Sequence, residues 1–129
     1  SAMKFKPEAG DFPLDQDSCK ADYTRARELG RVRLGRLGLY YPHMTWAGLL
    51  PLDQVERAYL RIEDVPVGMG CRRVPMGQHY LMAVLRNGET RKAALNGRKE
   101  GDWVLEQIHT QAPEIKIGYE APTPGETAP

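Results

Sequence analysis

Residues 31–64 read RVRLGRLGLYYPHMTWAGLLPLDQVERAYLRIED, and polar and apolar side chains alternate through most of this stretch. Successive side chains of a strand point to opposite faces of a sheet, so a period of two predicts β-strands. Residues 31–41 are either one long strand or a strand broken at Gly35, and residues 46–50 and 55–63 predict two more. The stretch therefore predicts an antiparallel sheet with one face in a core and arginines on the other.

Helical patterns are predicted on both sides of these strands. The segment DSCKADYTRARELG, residues 17–30, predicts a short helix. Asp17 or Ser18 can accept a hydrogen bond from a first-turn N–H, and Gly30 can adopt the left-handed conformation that closes a helix. Residues 98–112 predict a second helix, which ends before a proline.

A β-hairpin and a loop are predicted between the strands and the second helix. In HYLMAVLRNGETRKAAL, residues 79–95, Asn87-Gly88 supplies the positive φ values that a tight hairpin turn needs. The preceding residues 64–78, DVPVGMGCRRVPMGQ, contain two prolines and three glycines and predict an irregular loop. A loop of this length inside a domain is usually functional or disordered.

The length of 129 residues suits one domain. We expect it to span residues 18–119. Residues 1–17 read as an irregular arm that starts with an expression scar, because Ser1-Ala2 precedes a methionine. Residues 120–129, which are rich in proline and glycine, predict a disordered tail.

Composition excludes several classes of protein. No run of about 18 apolar residues is present, so no transmembrane segment is predicted. Two unpatterned cysteines, Cys19 and Cys71, without a signal-peptide pattern indicate a reducing, cytoplasmic setting. The net charge is +1, with a surplus of +3 in residues 20–63 and again in 64–95. This spread is unlike the concentrated basic surface of a nucleic-acid-binding protein, so no nucleic-acid partner is expected.

The order of these elements is a helix, several antiparallel strands and a C-terminal helix. Three segments resemble a family of small bacterial proteins of unknown function with a pleckstrin-homology-like fold: RLGRLGLYY followed by LLPLDQVERAYLRIE, the hairpin after the glycine-rich loop, and WVLEQIHTQAPEIKIGY. The resemblance covers roughly residues 20–119. It implies an α+β fold, a barrel of one strongly bent antiparallel sheet capped by the C-terminal helix, with an additional short N-terminal helix. In that barrel Trp103 is expected to lie largely buried.

The first functional hypothesis is a non-enzymatic binding or scaffold module for a protein or peptide. Candidate contact residues lie in the predicted loop: Met69, Cys71, Arg72, Arg73 and Met76. Methionines adapt to varied apolar partners, and paired arginines can bind carboxylates or phosphates with two parallel hydrogen bonds. The alternative is that the loop merely connects two strands.

The second hypothesis is weak binding of an anionic phospholipid headgroup by Arg31, Arg33 and Arg36. Pleckstrin-homology domains that bind phosphoinositides carry a lysine before an Arg-x-Arg pattern. This chain has the arginines but no lysine in the corresponding place, which argues against that function.

The third hypothesis is an enzyme that uses Cys71, because neighbouring arginines lower the pKa of a thiol and His79 could act as a base. No metal or other cofactor is expected, since His43, His79 and His109 show no ligand spacing with one another or with the cysteines. The GMG of residues 68–70 lacks the further residues of a phosphate-binding loop.

Overall fold

The computed structural model describes residues 3–68 and 74–119, and these form two α-helices and two β-sheets. The elements in chain order are β1 (Lys4–Pro7), α1 (Gln16–Arg25), β2 (Arg27–Glu28), β3 (Arg33–Leu34), β4 (Leu39–Pro42), β5 (Trp46–Leu50), β6 (Val55–Val67), β7 (Val74–Leu85), β8 (Thr90–Ala94), α2 (Arg98–Gln111) and β9 (Lys116–Ile117). The predicted α+β class and C-terminal helix are confirmed.

The first sheet has the strand order β1-β5-β4-β3-β2. Its strands pair antiparallel except for β1, which runs parallel to β5. Of the two predicted arrangements of residues 31–41, the broken strand is the one observed, because a turn from Gly35 to Gly38 separates β3 from β4. Gly38 has φ +144, and a Cβ there would lie 2.8 Å from the Cα of Pro51. Only glycine fits this close approach.

The predicted irregular arm is wrong for residues 4–7, which form β1. Phe5 is buried, and its ring packs edge-on against those of Tyr23 and Tyr40. The side chain of Gln16 completes the attachment: its Oε1 accepts from the Phe5 N–H at 2.8 Å, and its Nε2 donates to the Phe5 carbonyl at 2.9 Å. The amide thus satisfies the backbone of Phe5 as a neighbouring strand would.

The first helix is confirmed but is shifted and shorter than predicted. Asp15 caps it by accepting from the Ser18 N–H at 3.3 Å, and it ends at Arg25. Gly30 does not close the helix. It has φ +139 and forms an isolated bridge to Leu95, whose backbone lies too close for a side chain.

The second sheet has the strand order β8-β7-β6-β9. The hairpin between β7 and β8 is confirmed, and Gly88 at its turn has φ +92. The prediction of an irregular loop over residues 64–78 is wrong at both ends, because β6 continues to Val67 and β7 starts at Val74. Pro66 and Pro75 lie opposite each other in the ladder. At both positions the backbone nitrogen points away from the partner strand. The absence of an N–H group on proline therefore removes no hydrogen bond between β6 and β7.

The predicted pleckstrin-homology-like barrel is also wrong, because the described residues form two separate mixed sheets and no closed or curled barrel. Alternation shows which residues of a strand share a face, but it does not fix which strands are neighbours. Two short strands without strong alternation, β1 and β9, pair in parallel and make both sheets mixed.

The main core lies between the sheets and one face of α2. Gly101, Val104 and Ile108 are the buried residues of this helix. Trp103 is only partly buried and packs against the edge of the core, contrary to the expectation that it lies largely buried. The helical repeat explains the difference: residues 101, 104 and 108 recur on one face, and residue 103 lies on its flank.

We expect Ile108→Ala to lower the free energy of unfolding by about 2–5 kcal/mol, because it removes a fully buried aliphatic side chain from the core. The exposed neighbour His109→Ala is the control, expected to stay within about 0.5 kcal/mol of the wild type. Urea denaturation measures both. Equal stabilities of the two variants would contradict this packing of α2.

Candidate functional site

Most of the predicted protein-contact residues lie outside the described residues. These are Met69, Cys71, Arg72 and Arg73, which stand in the sequence between β6 and β7. Met76 is described: it lies on β7 and is 58% exposed. The structure therefore shows the two strands that lead into and out of the candidate segment.

These two strands extend past their neighbours. We name the paired residues 63–67 and 74–78 the β-arm. β8 pairs with β7 only from Tyr80 onward, and β9 pairs with β6 only at Arg57 and Ala58. Within the described chain the β-arm is thus a two-stranded ribbon with no third strand on either side. Such a ribbon is marginally stable by itself and gains from a further strand.

The backbone of β6 offers hydrogen-bonding groups on its outer side. The Gly118 N–H donates to the Ala58 carbonyl at 2.9 Å, so the backbone groups of Ala58 point away from β7. Along an antiparallel pair, every second residue points its N–H and C=O to the same side. The groups of Leu60, Ile62 and Asp64 therefore also point outward. We name this row the open edge, and no strand among the described residues pairs with it.

A concavity lined by two tyrosines and an isoleucine, among other residues, borders the open edge. It has a volume of about 390 Å³ and is lined by Tyr59, Leu60, Arg61, Ile62 and Tyr119. Ile62 is 57% exposed and Tyr119 is 65% exposed. The rings of Tyr59 and Tyr119 meet edge-on with centroids 5.2 Å apart. The concavity can accept an apolar side chain next to the backbone groups of the open edge.

The charges beside the β-arm are paired. Glu63 accepts a hydrogen bond from Lys92 Nζ at 2.7 Å and forms an ion pair with Arg61, whose Nε lies 2.9 Å away. The hydrogen bond from Lys92, together with the charges of Lys92 and Arg61, holds the pKa of Glu63 below its usual range. Arg61 is therefore engaged within the fold, and the surface next to the open edge is dominated by tyrosine and isoleucine.

The three arginines proposed for anion binding do not converge. Arg33 contacts Glu28 at 3.1 Å, and its guanidinium lies 4.2 Å from the ring centroid of Tyr23. Arg31 and Arg36 line two different concavities. Arg36 is separated from the other two arginines because the turn after β3 interrupts the strand before residue 36.

Arg36 instead lies in a cleft that the sequence did not reveal. We name it the arginine cleft. Its volume is about 410 Å³, and its lining includes Arg25, Arg27, Arg36, Trp103, Gln107 and Gln111. It lies where the end of α1, the β3–β4 turn and one flank of α2 meet. Since these segments are far apart in the chain, no local motif could indicate it.

Asp22 organises one wall of this cleft. Its buried carboxylate, 6% exposed, accepts from the Arg36 N–H at 2.8 Å, the Leu37 N–H at 3.0 Å and the Tyr40 hydroxyl at 2.6 Å. Burial alone would raise its pKa, but the hydrogen bonds from Tyr40, Leu37 and Arg36 and the charge of Arg25 bring the pKa below its ordinary value. The carboxylate is therefore ionised and fully engaged.

The residues invoked for catalysis are not assembled among the described parts of the chain. Cys71 lies outside them, and His79 is on β7 with a buried Nε2 that has no partner there. The described thiol, Cys19, is buried, and burial followed by the charges of Asp15 and Asp22 raises its pKa. A raised pKa makes Cys19 a poor nucleophile. The hypothesis of an enzyme that uses Cys71 stays a prediction.

Comparisons with protein-family models, with curated proteins and with solved structures found no match. The resemblance to a bacterial pleckstrin-homology-like family thus stays a prediction. Across residues 3–68 and 74–119, no group of three or more His, Cys, Asp or Glu side chains could hold a metal ion. No helix in those ranges is long and apolar enough to cross a bilayer.

We expect Asp22→Asn to destabilise the fold by about 1–3 kcal/mol at neutral pH, because the amide cannot accept from all three donors. Since the pKa of Asp22 is lowered by folding, its contribution is complete above its ordinary value of about 3.9 and is lost as the pH falls through the folded value. The stability gap between wild type and variant should therefore narrow in acid.

Urea denaturation at several pH values between neutral and strongly acidic conditions measures this gap. The control is Asp11→Asn, which changes an exposed aspartate and should leave stability within about 0.5 kcal/mol of the wild type. A gap that stays constant in acid would show that the charge of Asp22 does not stabilise the fold.

Proposed function

We propose that this protein is a non-enzymatic binding module that holds an extended segment of a protein partner along the open edge of β6. The observation that carries the proposal is the row of outward backbone groups on a strand with no described neighbour there. A peptide that adds as a strand gains main-chain hydrogen bonds from such an edge.

The outward backbone groups of β6 limit where along the strand a partner segment could form hydrogen bonds. The outward N–H and C=O groups at Leu60, Ile62 and Asp64 can both donate and accept. Pro66 points the same way but has no N–H, so the ladder loses a donor at that position. The proposed contact therefore centres on residues 60–64, next to the strand β9 that already pairs with this edge.

Side chains supply selectivity in this mode of binding. Every second residue of an added strand would face the concavity beside Tyr59, Ile62 and Tyr119. An aliphatic or aromatic residue suits it, because the neighbouring charges of Arg61 and Glu63 are already paired. The preferred occupant is thus a partner segment with apolar residues at alternate positions.

The candidate residues outside the described ranges extend this proposal. Met69, Cys71, Arg72 and Arg73 follow β6 in the sequence, and we propose that they contribute to the same contact. Their arginines favour acidic residues at one end of the partner segment.

Selection from a random peptide library against the immobilised protein tests strand addition. We expect enriched peptides with alternating apolar residues. When such a peptide binds, hydrogen exchange should slow at the amides of Leu60, Ile62 and Asp64, which gain partners. The amides of Arg61 and Glu63 point toward β7 and should change little, so the protection should follow alternate residues.

A matched pair of proline variants is the control. Ile62→Pro removes one outward N–H on the open edge and should weaken the selected peptide by about tenfold, through the lost bond and the bulk of the ring. Gly77→Pro removes an outward N–H from the opposite edge of the β-arm and should leave the affinity almost unchanged. Equal losses of peptide affinity in the two proline variants would contradict strand addition. So would slowed hydrogen exchange that does not follow alternate residues of β6. A dimer that protects the same amides without peptide would identify a second copy as the occupant.

A further inference from the structure

The arginine cleft carries positive charge that the fold does not neutralise. Among the described residues, Arg25, Arg27 and Arg36 form no ion pair with an acidic side chain and no side-chain hydrogen bond. Several other arginines of the protein are paired, as Arg33 is with Glu28 and Arg91 with Glu8. The cleft thus brings together three guanidinium groups that have no acidic partner among the described residues.

The only acidic side chain in the described lining is Asp22, and three donors already occupy its carboxylate. Three arginines and one aspartate leave a formal charge of +2. The C-terminal end of α1, at Arg25, carries a partial negative charge that reduces this surplus without reversing it.

The opposite wall of the cleft is a flank of α2. Trp103, Gln107 and Gln111 follow one another at intervals of four residues and so lie on the same side of the helix. The guanidinium of Arg27 lies over the Trp103 ring, 4.3 Å from its centroid. The two glutamine amides can donate hydrogen bonds into the cleft. Cationic and neutral donors therefore face one another across a space of ligand size.

We propose that the arginine cleft binds a phosphomonoester. At neutral pH such a group carries a charge of about −1.5 to −2 and has three strong acceptor oxygens, which suit several guanidinium groups at once. A single carboxylate carries a charge of about −1 and has only two acceptor oxygens, so it suits such a cluster of guanidinium groups less well. The site differs from the open edge in position and chemistry, and it does not rest on the function proposed above.

A free metabolite and a lipid headgroup can both present a phosphomonoester. Glycerol 3-phosphate represents the soluble source. Phosphatidylcholine vesicles that contain a minor fraction of phosphatidic acid represent the lipid source. Binding of both with similar affinity per phosphate would identify the phosphate as the feature recognised, and binding of one alone would identify the source.

Tryptophan fluorescence reports on binding, because a ligand that draws Arg27 from the indole changes the surroundings of Trp103. Trp46→Phe removes the other tryptophan and serves as the background for all titrations. We expect saturable binding of glycerol 3-phosphate that weakens at least about tenfold in Arg36→Gln and in Arg25→Gln. Circular dichroism checks that both variants fold.

Arg31→Gln is the matched control, because Arg31 is an exposed arginine that lines a different concavity. The affinity of the Arg31→Gln variant for glycerol 3-phosphate should stay within about twofold of that of the Trp46→Phe protein. Equal weakening in Arg31→Gln, no saturable response to either phosphate source, or acetate binding as tight as glycerol 3-phosphate would overturn the proposal.

The pH dependence offers a second readout. The second pKa of a phosphomonoester is about 6, so affinity should fall between about pH 7.5 and pH 5.5. Sulfate keeps its charge over this range, and its binding should not change. No histidine lines the cleft among the described residues, and Asp22 is ionised there, so the change reports the ligand. A sulfate response that follows the same pH profile would overturn the proposal.

Discussion

The hydrogen bonds of Asp22 are the constraint on which much of the N-terminal half depends. One carboxylate ties α1 to the β3–β4 turn and to the buried hydroxyl of Tyr40. Burial, then the hydrogen bond and charge of Asp22, raise the pKa of Tyr40, so the hydroxyl stays protonated as a donor. The Tyr40 ring packs against Phe5 and Tyr23, through which β1 and α1 join the sheet.

The same constraint explains why the arginine cleft exists. Gly35 has no side chain, and a Cβ there would lie 2.9 Å from the Asp22 carboxyl carbon. The turn can therefore close tightly on Asp22, and its backbone fixes the point from which the Arg36 side chain leaves. Arg25 follows Asp22 on α1 and adds to the field that keeps the carboxylate charged. The ionised carboxylate of Asp22 and the guanidinium groups of Arg25 and Arg36 thus lie in one small region.

The sequence predicted the elements whose signals are local. Alternation located the start of β6 at Val55, the Asn87-Gly88 pair located the hairpin, and the helical pattern located α2 to within one residue of its end. Prediction from the sequence failed where the structure of a segment depends on a residue that is distant in the chain. Pairing with β5, supported by the two hydrogen bonds between Gln16 and the backbone of Phe5, makes a strand out of an apparent arm. The prolines suggested a loop at the β-arm, because the sequence does not reveal that the backbone nitrogens of Pro66 and Pro75 point away from the partner strand.

The two proposed sites meet at α2, and this follows from one close contact. A Cβ on Gly101 would lie 2.7 Å from a Leu60 methyl group, so the absence of a side chain lets the helix approach β6 beside the open edge. Trp103, in the arginine cleft, is two residues further along the same helix. One helix therefore packs beside the open edge and also lines the arginine cleft, so both proposed sites depend on how α2 is seated on β6.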